Sequence, residues 1–227
     1  MIINYVIASW GGKTSKRREA PLTRHLQQLN SLKCDLAQVT IGRPKCHHEL
    51  HEYTHTVETI KQLEDGTPVA VLPLKNEGLS YGQWSRIFSE YEESFSHYIF
   101  IEDDYVPVRD HFDRWLVNRF DELHRSCRCG FLCGVVLNKA GIKPAPLHAA
   151  VSNGVTSFEV LKAVRDHHGC LPHDNQLTFS QAFTACGFSL CDYLDTFRCR
   201  YWPHTRKVRL FGDKNKPDLI DPIEVVE

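Results

Sequence analysis

Residues 97–105 read His-Tyr-Ile-Phe-Ile-Glu-Asp-Asp-Tyr, an apolar run followed at once by three carboxylates. The run over 97–101 predicts a strand buried within a sheet. Three carboxylates directly after a buried strand repel one another and lose solvation, and a hard divalent cation relieves that repulsion. Mg²⁺ or Mn²⁺ held by one or two carboxylates together with substrate phosphates is the usual arrangement. A solvated acidic turn before the next helix is the alternative that this stretch leaves open.

The segments around this run alternate between strand and helix patterns. The predicted strands cover residues 2–8, 36–42, 68–74, 97–101 and 131–137. The predicted helices cover residues 21–33, 83–95, 109–124, 157–169 and 177–187. Alternation in the first half predicts an α/β fold, with a mostly parallel, Rossmann-like sheet flanked by helices. The second half is less regular, and without a repeat or a low-complexity linker the expectation is one domain over residues 1–227.

The composition is that of an ordinary globular protein, with 42% hydrophobic and 24% charged residues. The 27 basic residues against 28 acidic ones give a formal charge of −1, which argues against a partner bound through its phosphate backbone, such as nucleic acid. No run approaches the length of a membrane helix, so stable membrane insertion is not expected. The first ten residues lack a basic leader, which favours a cytoplasmic location.

Three predicted strands end in residues suited to ligand binding. In open α/β sheets, ligands bind outside the carboxyl ends of the strands. The first strand is followed by Ser9-Trp10-Gly11, the third by residues 76–82 and the fourth by residues 102–105. We therefore expect one site at this edge of the sheet.

The spacing of the last two segments resembles a known family. Residues 76–80 read Asn-Glu-Gly-Leu-Ser, a predicted helix follows, and residues 98–104 read Tyr-Ile-Phe-Ile-Glu-Asp-Asp. This order is similar to that of GT-A nucleotide-sugar glycosyltransferases, which carry an Asn-x-Gly-x-Ser turn, a helix and a strand ending in D-x-D. The likeness is to small enzymes of large algal viruses and bacteria, covers residues 2–108, and departs from the motif where Glu102 replaces the first Asp.

The resemblance implies roles for the acidic residues and their neighbours. Asp104 would bind Mn²⁺ or Mg²⁺, which bridges the donor's diphosphate, and Glu102 would face the ribose or the sugar. Asp103 and the turn residues Asn76 and Ser80 would contribute to the same donor site. The cation neutralises the charge that bond breaking leaves on the diphosphate.

Further positions follow from the same resemblance. Ser9, Trp10 and Gly11 would lie near the nucleobase and ribose, although Trp10 is equally suited to a place in the core. In this family a histidine near the C-terminus often completes the metal site, and His204 is the candidate. A solvent-exposed histidine is the alternative there.

Asp174 is the candidate catalytic base. Inverting transfer needs a carboxylate that takes the proton of the acceptor hydroxyl, and related enzymes place it at the start of a helix. Asp174 comes just before the predicted helix at 177–187. The alternative is a helix cap, a role for which Asp is also favoured. Asp192 and Asp195 are the next candidates.

The resemblance thus implies a metal-dependent glycosyltransferase. It would move a sugar from a nucleoside diphosphate, expected to be uridine-based, to a glycan or other hydroxyl acceptor, with inversion as the expected stereochemistry. The sequence does not determine the donor sugar and nucleobase, the acceptor or the oligomeric state. It also leaves open retention versus inversion, and whether the chain is part of a larger enzyme.

Two other classes compete with this hypothesis. Residues 51–55 spell His-Glu-Tyr-Thr-His, the H-E-x-x-H pattern of zinc metalloproteases, but polar flanks and the lack of a third ligand argue against that class. A non-catalytic module that binds a nucleotide sugar or a carbohydrate is the other. Separately, the spacing of Cys127, Cys129 and Cys133 lacks a paired C-x-x-C, which favours thiols over zinc.

Overall fold

The computed structural model describes most of the chain. The described residues are 1–9, 19–44, 60–75, 77–103, 105–134, 136–140, 143–149, 153–193 and 223–225. The remaining residues include five to which the sequence analysis assigns a role in the site: Trp10, Gly11, Asn76, Asp104 and His204. The H-E-x-x-H segment and Asp195 also lie outside the described residues.

Helices and strands alternate through the first half and become less regular afterwards, as expected. The helices are α1 (Glu19–Ser31), α2 (Leu79–Tyr91), α3 (Phe112–Cys127), α4 (Phe158–His168) and α5 (Gln176–Ala185). The strands are β1 (Ile3–Ala8), β2 (Gln38–Pro44), β3 (Val69–Leu74), β4 (His97–Glu102), β5 (Tyr105–Pro107), β6 (Cys129–Cys133), β7 (Val136–Ala140), β8 (Lys143–Ala149), β9 (Asn153–Ser157), β10 (Ser189–Asp192) and β11 (Ile223–Val225).

A seven-stranded sheet organises the fold, in the order β10-β6-β9-β4-β1-β2-β3. β1 pairs in parallel with β4 and with β2, and β2 with β3. Within this sheet β9 is antiparallel to both of its neighbours, β4 and β6. The prediction of a mostly parallel α/β sheet flanked by helices is confirmed. The carboxyl ends of β1 and β4 therefore lie side by side.

The central strands are buried because helices cover the sheet. All six residues of β1 are buried, as are Tyr98 to Ile101 in β4. The core residue Trp84 of α2 stacks on Phe100 of β4, with ring centroids 5.2 Å apart. Burial on both faces explains why these two strands are near-continuous apolar runs.

The start of α2 differs from the prediction. Residues 76–82 were expected to form a turn, with a helix from 83, but the helix begins at Leu79. Gly78 and Leu79 both have positive φ, at 72° and 54°, so the chain makes its turn over two residues. Ser80 consequently lies in the first turn of a helix instead of in a loop.

The predicted strand at 131–137 is also divided differently. Its first part belongs to β6, and its last two residues belong to β7, which forms a separate two-stranded sheet with β8. Among the described helices, none has the length and apolar character needed to cross a membrane.

Candidate functional site

A cavity of about 220 Å³ opens at the carboxyl edge of the sheet. The end of β1, the start of α2 and the end of β4 line it. The lining residues are Ala8, Ser9, Leu79, Ser80, Gln83, Glu102 and Asp103. Four residues that the sequence analysis assigned to donor binding, Ser9, Ser80, Glu102 and Asp103, therefore meet around one cavity.

Ser9 and Asp103 join the ends of the two central strands. The Ser9 hydroxyl donates a 2.8 Å hydrogen bond to Oδ2 of Asp103, and the Asp103 amide donates to the carbonyl of Ala8 at 3.1 Å. Both residues are buried, with Asp103 9% exposed. The carboxylate of Asp103 is therefore held in a defined position at the cavity wall.

Glu102 is positioned from the other side of the cavity. The Ser80 hydroxyl, in the first turn of α2, donates to Oε1 of Glu102 at 2.7 Å. Ser80 is buried and Glu102 is half-buried, so this carboxylate reaches the cavity with its direction set by α2. The first turn of α2, which begins four residues earlier than predicted, therefore orients the carboxylate of Glu102.

Gln83 is a residue of the site that the sequence analysis did not identify. Its side-chain oxygen accepts from the Ser9 amide at 3.2 Å, and its side-chain nitrogen donates to the Ser9 carbonyl at 3.1 Å. The paired bonds fix the backbone where β1 leaves the sheet. Gly42 of β2 makes room for this amide, since a Cβ there would lie 2.5 Å from Gln83 Oε1.

The buried side chain of His25 in α1 contacts the backbone of Asp103. Its Nδ1 lies 3.4 Å from the Asp103 carbonyl, and its Nε2 lies 2.7 Å from the Tyr5 hydroxyl. A carbonyl only accepts, so Nδ1 carries the proton and Nε2 accepts from Tyr5. Burial lowers the pKa of His25 from 6.5 to about 4, although the bond to Asp103 opposes this. The imidazole is therefore neutral at pH 7.

The loop that carries Asp174 lies against the start of α2. A Cβ on Gly78 would lie 2.2 Å from the His173 carbonyl oxygen, and Ser85 of α2 donates to the Leu171 carbonyl at 3.1 Å. Asp174 itself is exposed. The loop thus borders the helix turn that holds Ser80, on the same edge of the sheet as the cavity.

Asp174 does not cap the helix that follows it. Asn175 is the N-cap of α5, and its side chain accepts from the amides of Leu177 and Thr178 at 2.9 and 3.1 Å. The backbone amide of Asn175 in turn donates to the Thr178 hydroxyl at 3.1 Å, which completes a capping box. The capping role considered for Asp174 therefore belongs to its neighbour.

Asn153 brings another polar side chain to this edge of the sheet. It begins β9, lies beside Ile101 of β4, and its Oδ1 accepts from the Gly134 amide and the Tyr193 hydroxyl, each at 3.2 Å. It is 1% exposed, and its amide nitrogen has no hydrogen-bond partner among the described residues. No sequence pattern marks it, because β9 is short and polar.

Three cysteine sulfurs lie together between α3, β6 and β10. The sulfurs of Cys127 and Cys191 are 3.6 Å apart, and Cys129 also bonds to Cys191. The pKa of Cys191 is lowered from 9.0 to about 7, mainly by a hydrogen bond from Cys129 and to a smaller extent by one from Cys127. The described cysteines are free thiols, and the Cys133 thiol donates to the Cys191 carbonyl at 3.5 Å.

The site contains carboxylates, hydroxyls and an amide around an open cavity at a sheet edge. Carboxylate oxygens suit a hard divalent cation, and hydroxyl and amide groups suit a polar ligand such as a nucleoside or a sugar. Within the described ranges, Glu102 and Asp103 are the acidic residues of this cavity. Their neighbour Asp104 lies outside the described residues.

Comparisons with known proteins identify the fold but no family. No protein-family model matches the sequence, and no curated protein matches it. Among solved structures, a putative glucose-1-phosphate thymidylyltransferase from Bacillus anthracis, in complex with sucrose, is 12% identical with a TM-score of 0.50. The likeness covers 85% of this chain and 86% of that one.

A second solved structure is similar over a comparable length. The 4-diphosphocytidyl-2C-methyl-D-erythritol synthase of Anaerococcus prevotii is 7% identical with a TM-score of 0.49, over 84% of this chain and 87% of that one. At 12% identity the thymidylyltransferase comparison concerns the fold alone. The chain thus has the Rossmann-like α/β fold of that nucleotidyltransferase.

Proposed function

We propose that the chain is a metal-dependent glycosyltransferase that uses a nucleoside-diphosphate sugar, uridine-linked, as its donor. The observation that carries this proposal is the meeting of Glu102 and Asp103 with Ser9 and Ser80 around a cavity at the carboxyl edge of the sheet. Nucleotides bind at this edge in open α/β folds. The acceptor is a hydroxyl of a glycan or another molecule.

The donor-site roles follow from the resemblance to GT-A enzymes. Glu102, oriented by Ser80, faces the ribose or the sugar. Asp103, held by Ser9, fixes the end of β4, from which Asp104 follows directly. Trp10, Gly11 and Asn76 complete the donor site in this proposal.

A divalent cation fits the chemistry of this edge. Glu102 is half-buried and Asp103 is buried, and carboxylates that follow one another along the chain gain from a neighbouring positive charge. Their oxygens are the ligands that Mg²⁺ and Mn²⁺ prefer. Asp104 and His204 are the proposed metal ligands. When bound, the cation supplies charge neutralisation for the departing diphosphate.

Asp174 is the proposed base. Its loop contacts the start of α2, and Asn175 supplies the cap of α5, so capping does not account for an acid at position 174. In the transfer step the acceptor oxygen gives its proton to Asp174 and forms a bond to the sugar carbon. The bond from that carbon to the diphosphate oxygen breaks, and the diphosphate leaves with the electron pair.

The test is a product assay over a panel of nucleoside-diphosphate sugars with Mn²⁺ and with chelator. We expect release of the nucleoside diphosphate in Mn²⁺, and its loss in chelator or in Asp104→Ala. Glu102→Gln keeps the bond from Ser80 but removes the charge, and it should lower the rate. Asp166→Ala, an exposed carboxylate paired with Lys162, is the matched control and should behave as wild type.

Other outcomes identify other functions. If the protein instead consumes a nucleoside triphosphate and a sugar 1-phosphate and releases pyrophosphate, it is a nucleotidyltransferase and the glycosyltransferase proposal is wrong. Nucleotide-sugar binding without turnover on any acceptor would indicate a binding module. Peptide cleavage that is lost in His51→Ala/His55→Ala would indicate a metalloprotease. Full transfer activity in excess chelator would overturn metal dependence.

A further inference from the structure

The C-terminal ends of two helices bring a cluster of metal-ligating side chains together, away from the cavity. His167 and His168 end α4, and Cys186 follows α5. One ligand atom from each of these three residues lies within 4.8 Å of the other two. Both histidines are exposed and Cys186 is half-buried, so an ion can reach the cluster from solvent.

The chemistry of these side chains is that of a zinc site. Imidazole nitrogen and thiolate sulfur are the usual zinc ligands, and three protein ligands occur with a water in the fourth position. Nε2 of His168 lies 3.3 Å from the Ala182 carbonyl of α5, which accepts a hydrogen bond from it. Bound histidines commonly hold their second nitrogen in this way, which leaves Nδ1 for the metal.

The backbone around the cluster also favours a cation. Gly169, with φ of 78°, is the C-cap of α4. Cys186 is the C-cap of α5, and Gly187 after it has φ of 75°. The last carbonyl groups of a helix carry a partial negative charge. Two such helix ends flank the ligands, so their dipoles add to the attraction for a positive ion.

The cluster lies at the other edge of the sheet from the cavity. Cys186 comes three residues before Ser189, where β10 begins, and Ser189 pairs with Cys129 at the start of β6. The cavity lies where the parallel strands end. Cys186 therefore lies toward the opposite edge of the sheet from the cavity, and the cluster and the cavity lining share no residue.

We propose that His167, His168 and Cys186 bind Zn²⁺, with water in the remaining position, and that the ion links the C-terminal ends of α4 and α5. The site is separate from the cation of the proposed transferase reaction. Burial raises the pKa of the Cys186 thiol, so the thiol is protonated at neutral pH and zinc binding releases its proton.

Titration with Co²⁺ and Zn²⁺ tests this site. All titrations use a parent variant with Cys46→Ser, His51→Ala and His55→Ala, which removes one cysteine and the two histidines of the H-E-x-x-H pattern as competing ligands. We expect a thiolate-to-cobalt charge-transfer band that saturates at one equivalent and is displaced by Zn²⁺. Cys186→Ser should abolish the band, and His167→Ala and His168→Ala should each weaken Zn²⁺ binding about tenfold or more.

Cysteines outside the cluster provide the controls. Cys170 is exposed and close in sequence to His168, so Cys170→Ser should keep the full cobalt band. Far-ultraviolet circular dichroism verifies that each variant is folded. A band that survives in Cys186→Ser but disappears in Cys170→Ser or Cys191→Ser would overturn the proposal, as would Zn²⁺ affinity unchanged in all three cluster variants.

Discussion

The hydroxyl of Ser9 donates to Oδ2 of Asp103 at 2.8 Å, across 94 positions of sequence. The contact exists because β1 and β4 are parallel neighbours, with Ala8 opposite Glu102 in the register. Each strand therefore ends beside the other, and a serine after one strand meets a carboxylate after the other.

Removal of this bond should cost stability and activity. Ser9→Ala takes one donor from a buried carboxylate, and a hydrogen bond to a charged group contributes about 1.5–3 kcal/mol. Urea unfolding should show a loss of this size, together with slower donor turnover. Ser189→Ala, which removes an exposed bond to the Cys127 carbonyl, is the control. Equal stability of the two variants would show that the Ser9 bond contributes little.

Gly78 tests the contact between α2 and the loop of Asp174, and Gly66 is its control. Both have positive φ, but a Cβ would lie 2.2 Å from the His173 carbonyl oxygen at Gly78 and within 4 Å of nothing at Gly66. Gly66→Ala should lose about 1 kcal/mol, from backbone conformation alone. Gly78→Ala should lose clearly more free energy of unfolding and also activity, because the loop must move. Equal losses would contradict the contact.

Substitutions of Asp174 and Asn175 should have different effects, because Asn175 caps α5 and Asp174 is the proposed base. Asn175→Ala should lower the free energy of unfolding by about 0.5–2 kcal/mol, because two amides of α5 lose their acceptor. Asp174→Asn should keep the melting temperature and the donor affinity but reduce turnover about a hundredfold or more. Near-normal turnover in Asp174→Asn would exclude Asp174 as the base, and Asp192 would be the next candidate.

His25 should make the stability depend on pH in mildly acidic solution. The unfolded chain binds a proton to this residue below pH 6.5, and the folded protein does so only below about 4. Stability should therefore fall as the pH decreases between these values, by up to about 3 kcal/mol. The groups facing the ring are the Tyr5 hydroxyl and the Asp103 carbonyl.

Urea unfolding at a series of pH values measures this effect. His25→Gln lacks the titrating group, so its stability should change less with pH over the same range. The difference between the two slopes is the readout, which removes the contribution of the carboxylates common to both proteins. Parallel pH profiles for the wild type and the variant would refute the assignment.

Cys191 should be alkylated faster than the more exposed Cys127 at neutral pH. Its pKa is about 7, whereas burial and the Cys191 side chain raise the pKa of Cys127. The thiolate is the reactive form, so the rate for Cys191 should be half-maximal near pH 7. Iodoacetamide labelling with peptide mass spectrometry measures this. Cys129→Ala should move the midpoint upward, and identical profiles for both cysteines would contradict the prediction.

The central strands were predictable because their signal is local. β1 and β4 are continuous apolar runs because both faces of the sheet are covered. The need for apolar side chains on both faces is visible in the sequence of each strand by itself. The carboxylates after β4 are equally visible, because a charged cluster next to a buried run is unusual at any position. These elements were enough to predict a mostly parallel α/β sheet and a candidate site at the carboxyl ends of its strands.

The start of α2 was mispredicted because two glycines in residues 76–82 indicate a turn. Gly82 instead lies inside the helix, where a Cβ would lie 1.7 Å from the Glu77 carbonyl oxygen. The glycine is there for close packing, and the nearby turn is made by Gly78 and Leu79. A glycine needed for space and one needed for its dihedral angles look the same in a sequence.

Only the tertiary structure brought Gln83 and His25 into the site. Each is a polar residue on an otherwise amphipathic helix, and a helix pattern does not distinguish a solvated side chain from a buried, hydrogen-bonded one. Their partners, Ser9 and Asp103, lie 74 and 78 positions away. The sequence by itself determined which strands are buried and what chemistry follows them. The tertiary structure decided which distant polar groups satisfy one another there, because burial of a polar side chain depends on partners that local sequence does not contain.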